Sequence, residues 1–273
     1  GNYTYRYDAA TKTVIGTNDY ACSGVAINFK TYFALRFVGD VVDDEAVRLA
    51  NSQAQTKGWV MVQDTAWDGY EDIPAWIMQG YGTMGLEAHE QLGEKPTHIF
   101  LQAGVGSMAG AVIGLFSSIY GKDRPVITIV EPNRADCLFR TARANDGKLH
   151  NVTGDMNTIM AGLACGEPCS IGWDVLRHCA DAFLSVPESV AADGMRILAA
   201  PARGDSPIVS GESGAAAFGA AANLLLDSDL AAMKEQLGLN EHSRLLFIST
   251  EGDTDKENYR NVVWRGKYPG AQA

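Results

Sequence analysis

The feature that most constrains the fold is a glycine-rich turn between an apolar strand-like run and an apolar helix-like segment. Residues 99–101 have the composition of a buried strand, and residues 111–116 continue at helical spacing. Gly104, Gly106 and Gly110 lie between them. A strand–turn–helix unit of this kind points backbone N–H groups and a helix N-terminus at one place, which favours an anion such as phosphate. The same pattern is also typical of a tight turn that binds no ligand.

Composition excludes several other classes of function. The 273 residues are 46% hydrophobic and 20% charged, as in an ordinary soluble globular protein. The net charge of −11 argues against nucleic acid or an anionic membrane as a partner, because both need clustered Lys and Arg. No apolar run approaches the roughly 18 residues of a membrane span, and no signal-peptide pattern is found. These features predict a cytoplasmic protein.

The cysteines do not predict a metal site. Cys165 and Cys169 have metal-like spacing, but no second Cys or His pair lies at a suitable distance. The sequence alone does not decide whether a disulfide forms, for example between Cys137 and Cys165. Otherwise we expect buried thiols.

The order of the predicted elements indicates an α/β fold with a doubly wound, mostly parallel sheet. The strands are predicted at residues 59–63, 99–101, 125–130, 183–186 and 244–248. The helices are predicted from Asp43 and at 73–92, 111–116, 134–143, 156–165, 173–182, 188–200 and 215–226. Residues 41–273 would form this large domain. Residues 1–40 are less regular, with strand-like patterns at 3–7 and 12–16 and an apolar run at 25–35.

Four polar or glycine-rich segments directly follow predicted strands. They are residues 64–67, 103–110, 131–132 and 249–252. In a doubly wound sheet such segments gather at one edge, which predicts one crevice with an anion nest, a carboxylate and a hydroxyl pair. Asp64 could line this crevice or simply cap a turn. Lys30 lies inside the apolar run, and burying it would be costly unless its charge is paired or its amine is bound covalently. Alternatively, its side chain could reach solvent at the edge of a strand or helix.

Six ordered strings between residues 41 and 270 resemble the diaminopropionate ammonia-lyases, which are fold-type II pyridoxal-phosphate enzymes with a tryptophan synthase β-like fold. The strings are QDTAW at 63–67, WIMQG at 76–80, LQAGVG at 101–106, IMAGLACGEP at 159–168, IVSGESGA at 208–215 and ISTEGDTD at 248–255. The resemblance implies α,β-elimination of 2,3-diaminopropionate, a small amino-acid substrate, to pyruvate and ammonia. It also implies a pyridoxal 5'-phosphate cofactor and a homodimer.

The same resemblance assigns roles to particular residues. Asp64 would act as acid or base, or bind the substrate ammonium. Ser249 or Thr250 would hydrogen-bond the pyridine nitrogen, and Glu212 and Gly214 would line the ring pocket. The cofactor phosphate would be held by Gly104, Val105, Gly106, Ser107, Met108, Ala109 and Gly110.

The front of the chain departs from this family. Lys30, in the string Asn28-Phe29-Lys30, loosely matches the context of the Schiff-base lysine. It lies only 34 positions before Asp64, and the Asp-Gly-Asn-His string of the family's small domain does not occur. We therefore expect a reduced or altered small domain, with residues 1–40 as a remnant of it. Two alternatives stay open: a non-catalytic cofactor- or metabolite-binding relative, and a scaffold that acts through oligomer contacts.

Overall fold

A computed structural model of the chain describes residues 4–8, 13–17, 25–28, 33–35, 43–202 and 204–270. The strands are β1 Thr4–Asp8, β2 Thr13–Thr17, β3 Val25–Asn28, β4 Phe33–Leu35, β5 Val60–Val62, β6 His98–Gln102, β7 Val126–Pro132, β8 Ala182–Val186 and β9 Leu245–Leu246. The α-helices are α1 Asp43–Lys57, α2 Asp72–Gln91, α3 Ser107–Tyr120, α4 Cys137–Ala144, α5 Ser170–Cys179, α6 Glu188–Ala199, α7 Glu212–Leu226, α8 Ala231–Gln236 and α9 Lys256–Val263. Short 3-10 turns lie at Gly121–Asp123, Ala161–Leu163 and Ser228–Leu230.

The main sheet is parallel and has β6 in its interior. Its strand order is β8-β7-β6-β9, and every neighbouring pair is parallel. All five residues of β6 are buried, as expected for a strand covered on both faces. The predicted α/β class and parallel sheet are therefore confirmed.

Helices cover both faces of this sheet. Ile99 and Leu101 belong to a buried cluster that includes Phe116 of α3. Phe100 points the other way and packs in a second cluster with Ala217 and neighbouring residues of α7. Side chains alternate between the two faces of a strand, so three consecutive apolar residues pack into two separate cores, one on each face of the sheet. This arrangement is the doubly wound architecture predicted from the sequence.

Helices α6 and α7 pack backbone against backbone. A Cβ atom added to Gly219 would lie 2.0 Å from the Val190 carbonyl oxygen, and one added to Gly194 would lie 2.4 Å from the Ala215 carbonyl oxygen. Neither position has room for a side chain. This contact fixes the placement of α7, whose N-terminus contributes to the site described below.

The strand at residues 60–62 does not join the main sheet, which corrects one prediction. It pairs antiparallel with β3 in a separate sheet of order β4-β3-β5, and β1 and β2 form an antiparallel pair. Alternating or apolar runs identify a strand without identifying its partner. The strand-like patterns predicted near the front of the chain are confirmed as β1 and β2.

The predicted helix at 156–165 is also wrong. This segment is a loop with the short turn Ala161–Leu163, and two of its backbone N–H groups donate to distant side chains. The Gly162 N–H donates to the Ser213 hydroxyl at 3.1 Å, and the Ile159 N–H donates to Glu188 Oε2 at 2.9 Å. Glycine in this segment lowers helix propensity, and tertiary hydrogen bonds replace the helical ones.

Candidate functional site

A cavity of about 1340 Å³ opens where the glycine turn after β6, the segment after β5 and the start of α7 meet. The predicted site residues that line it are Asp64, Gly104, Val105, Gly106, Ser107, Met108, Ala109, Glu212 and Thr250. Gly110, Gly214 and Ser249 lie outside the lining, although each follows or precedes a lining residue in the sequence (Ala109, Ser213 and Thr250). Lys30 lies outside the described residues.

The glycine turn has the geometry of an anion nest. Gly106 has a φ of +96° directly before α3, a conformation that side chains rarely adopt. A Cβ on Gly104 would come within 3.1 Å of the Cys165 sulfur. Gly110 instead packs α3 against α5, since a Cβ there would lie 3.1 Å from the Gly172 carbonyl oxygen. The first N–H groups of α3 have no partners within the helix, so they are available to an anion.

Asp64 is held in the cavity wall by several contacts. The Tyr81 hydroxyl donates to Asp64 Oδ2 at 3.3 Å, and the Ser107 hydroxyl donates to the Asp64 backbone carbonyl at 2.7 Å. The Cys169 thiol donates to the same carbonyl at 3.5 Å. Burial raises the pKa of Asp64, and the hydrogen bond from Tyr81 partly opposes this shift. The Ser107 bond ties Asp64 directly to the anion nest.

The two candidate hydroxyls after β9 have different surroundings. The Ser249 hydroxyl bonds the Ser210 hydroxyl at 2.8 Å and donates to the Glu251 carbonyl at 3.2 Å. Thr250 lines the cavity, and its Oγ1 accepts a hydrogen bond from Gln102 Nε2 at 3.0 Å. Of the two, Thr250 is the one placed to meet a ligand.

Carboxylates surround the start of α7. Glu251 accepts hydrogen bonds from the backbone N–H groups of Ser213 and Gly214, where a negative charge is stabilised by the helix dipole. Glu212 accepts a hydrogen bond from Asn258 Nδ2 at 2.7 Å. Burial raises the pKa of Glu212, and the negative charge of Glu251 adds to that shift. This wall of the cavity therefore favours a cationic group.

Glu131 does not belong to the crevice, contrary to the sequence prediction. Its side chain is fully buried and accepts hydrogen bonds from the Leu138 N–H at 2.9 Å and the Phe139 N–H at 2.6 Å. Burial raises the pKa of Glu131 to about 8. The carboxyl group thus holds the first turn of α4 instead of facing a ligand.

Sequence reasoning missed several polar residues in the cavity wall, among them Tyr81 and Gln102. Tyr81 lies among the apolar residues of α2, and its hydroxyl reaches Asp64. Gln102 is the last residue of the fully buried strand β6. A glutamine that ends an otherwise apolar buried strand is an available signal, because buried amides need partners.

Among the described residues, no group of three or more His, Cys, Asp or Glu side chains could hold a metal ion. In the same part of the chain, no helix is both long and apolar enough to cross a bilayer. Cys169 has a structural contact instead, since its sulfur accepts a hydrogen bond from the Ala66 N–H at 3.3 Å.

Comparison with known proteins identifies the family. The family model described as "Pyridoxal-phosphate dependent enzyme" matches residues 34–239. The chain belongs to this family. Membership confirms the predicted fold-type II, tryptophan synthase β-like architecture.

Individual members of the family are also similar to this chain. Diaminopropionate ammonia-lyase from Salmonella typhimurium is 49% identical over 247 residues, which are 89% of this chain and 61% of that protein. The protein of the same name from Escherichia coli strain K12 is 51% identical over 234 residues, which are 85% of this chain and 58% of that protein. The chain thus spans about six tenths of the length of the curated relatives it matches.

Solved structures give the same result. The crystal structure of selenomethionine-incorporated holo diaminopropionate ammonia-lyase from Escherichia coli superimposes with a TM-score of 0.78 at 48% identity. The match covers 86% of this chain and 59% of that one. The resemblance found in the sequence is therefore confirmed.

The cavity fits pyridoxal phosphate, the cofactor of this family. The backbone of Gly104 and Gly106 lines the cavity directly before α3, whose first N–H groups suit a phosphate. Thr250 supplies a neutral hydroxyl in the same cavity. The phosphate of the cofactor needs N–H donors such as those of α3, and its ring nitrogen needs a hydrogen-bonding partner such as the Thr250 hydroxyl.

Proposed function

We propose that this chain carries out the pyridoxal-phosphate-dependent α,β-elimination of 2,3-diaminopropionate to pyruvate and ammonia. One observation carries the proposal: an anion nest and the half-buried carboxyl group of Asp64 share one cavity, and the Ser107 hydroxyl of the nest donates to the Asp64 backbone carbonyl. Identity of about one half with two diaminopropionate ammonia-lyases supports it. When bound, the cofactor acts as an electron sink for the substrate's α-carbon.

The residues of the chain have separate tasks in this proposal. The backbone of residues 104–110 binds the phosphate, and Thr250 hydrogen-bonds the ring nitrogen. Glu212 lines the wall beside the ring, while Gly214 allows α7 to approach the segment after β9, since a Cβ there would lie 3.1 Å from the Thr250 nitrogen. Lys30 is the proposed lysine that binds the cofactor covalently.

Asp64 is the proposed acid–base residue. Burial raises the pKa of its carboxyl group, so the group keeps its proton at a higher pH than a free aspartic acid. In that state, the proton on Oδ1 or Oδ2 of Asp64 can be transferred to a departing amine. In its ionised form the same group attracts the second ammonium of a diamine, which a monoamine substrate lacks.

The test measures pyruvate release with a lactate-dehydrogenase coupled assay, together with pyridoxal phosphate binding. We expect pyruvate from 2,3-diaminopropionate and a loss of about 100-fold in Asp64→Asn, with cofactor binding retained. Cofactor binding without pyruvate would favour the non-catalytic binding relative. Failure to bind the cofactor would contradict the proposal.

Borohydride reduction followed by peptide mapping tests the lysine. The proposal expects the adduct on Lys30 and its loss in Lys30→Ala. Among the described residues that line the cavity, Lys256 is the only lysine, so Lys256→Ala is the matched control. An adduct on Lys256 would overturn the assignment of Lys30.

The proposal extends to the organisation of the protein. Residues 41–273 act as the large cofactor-binding domain. The enzyme works as a cytoplasmic homodimer. Light scattering of the purified protein tests the dimer, and cell fractionation tests the location.

A further inference from the structure

We propose that Gln102 is a positioning residue that fixes the Thr250 hydroxyl as a hydrogen-bond donor toward the ligand in the cavity. The inference rests on the proposed function, because it takes pyridoxal phosphate as that ligand. It adds a residue that lies outside the anion nest and does not bind the phosphate. The amide acts on the ligand through a second side chain.

The geometry around Gln102 is well defined. The side chain is fully buried at the end of β6 and lines the cavity. Its Nε2 donates to the Ile248 backbone carbonyl at 2.8 Å and to Thr250 Oγ1 at 3.0 Å. Both N–H groups of the amide are therefore directed at the segment that follows β9.

The Ile248 carbonyl determines which way the amide faces. A carbonyl oxygen can only accept, so it must face the NH₂ group of Gln102. Rotating the amide by half a turn would place two oxygens against each other. The resulting orientation leaves Gln102 Oε1 without a hydrogen-bond partner among the described residues. Buried polar atoms are rarely left unpaired, so holding the amide in this orientation costs free energy.

This orientation determines what the Thr250 hydroxyl can do. Because Oγ1 accepts from Gln102, the single hydroxyl hydrogen of Thr250 must be directed elsewhere. No protein acceptor for that hydrogen is found in the described part of the chain, and Thr250 lines the cavity. The hydrogen is thus available to an acceptor on the ligand, such as a ring nitrogen. Ser249 cannot compete, since its hydroxyl is bonded to Ser210 and Glu251.

The experiment compares two ligands on the purified chain. One is pyridoxal phosphate, and the other is its ring-carbon analogue, in which a C–H group replaces the ring nitrogen. The variants are Gln102→Met, which keeps side-chain length without the amide, Thr250→Val, and the double variant. Gln91→Met at the exposed end of α2 is the matched control. Dissociation constants are measured from the absorbance of the bound ligand.

We expect Gln102→Met to weaken pyridoxal phosphate binding by about fivefold, the value of one neutral hydrogen bond. Binding of the ring-carbon analogue should be unchanged, because it offers no acceptor to Thr250. The double variant should bind pyridoxal phosphate no more weakly than Thr250→Val alone, since the two residues act on the same bond. Gln91→Met should bind like the unaltered chain.

Other results would overturn the inference. Equal weakening of both ligands by Gln102→Met would show that the residue contributes packing only. Additive effects in the double variant would show that Gln102 does not act through Thr250. If the unaltered chain binds neither ligand, the proposed function itself fails, and this result is distinct from the first two.

Discussion

Gly219→Ala should strongly destabilise the protein, because it places a methyl group inside the contact between α6 and α7. The added Cβ would lie 2.0 Å from the Val190 carbonyl oxygen, 2.9 Å from the Val190 carbonyl carbon and 3.1 Å from the Gly194 nitrogen. All three atoms belong to the backbone, so no side-chain rotation can relieve the overlap. A carbon and a carbonyl oxygen normally stay about 3.3 Å apart or more. The two helices would have to separate by more than an ångström.

The magnitude follows from two opposing effects. Overpacking costs about 1–3 kcal/mol even where side chains can adjust, and here the backbone must move. Alanine also has a higher helix propensity than glycine, which returns about 1 kcal/mol. We expect the free energy of unfolding to fall by about 2 kcal/mol in total, which is the upper end of the overpacking range less the gain in helix propensity.

Urea denaturation followed by circular dichroism measures this change. Gly82→Ala in α2 is the matched control, because it makes the same substitution in a helix with no atom within 4 Å of the new Cβ. The control should become more stable by about 0.5–1 kcal/mol. If Gly219→Ala is as stable as Gly82→Ala, the packing argument for α6 and α7 is wrong.

Three further variants test the site and its supports. Tyr81→Phe removes a hydrogen bond that lowers the pKa of Asp64, so the limb of the pH–rate profile governed by that carboxyl should move to higher pH; an unchanged profile would exclude the link. Glu131 has a pKa of about 8 in the fold against 4.5 ordinarily. Its stabilising effect is therefore complete below about pH 4.5 and is lost as the pH rises through 8, by up to about 1.4 kcal/mol per pH unit. Glu131→Gln should lack this slope in urea titrations, and an equal slope would refute the assignment. Gly106→Ala strains a φ of +96° and brings a Cβ within 2.9 Å of Leu176 Cδ1, so inorganic phosphate should bind at least about tenfold more weakly by calorimetry; unchanged phosphate affinity would argue against the anion nest.

Local sequence signals were sufficient for much of the fold. The apolar run of β6, the glycines after it and the helical spacing of α3 each depend on neighbouring residues, so the strand–turn–helix unit could be predicted directly. The alternation of strands and helices then predicted the parallel sheet. Asp64 and Thr250 were found because each follows a strand, although Asp64 reaches the cavity from a separate sheet.

Features that depend on distant partners were not accessible in this way. The strand-like run at 60–62 does not encode its antiparallel pairing with β3. Glu131 follows the strand predicted at 125–130, yet it lies within β7, and two N–H groups of α4 donate to its carboxyl group. Gln102 has a role only when the Ile248 carbonyl lies beside it. In each case the partner that determines the role lies elsewhere in the chain, so a short motif does not reveal it.

The pairing of β6 with β9 has a consequence for how the chain folds. Arg244, whose carbonyl accepts the Thr97 N–H at 2.8 Å, lies 147 positions after Thr97. During synthesis on the ribosome, the β9 side of β6 therefore stays unpaired until nearly all of the described chain has been made. An open strand edge beside a large apolar core invites association with other chains, and contacts so distant in sequence close slowly. The nascent protein is thus most exposed to aggregation and chaperone binding just before its ligand cavity is completed.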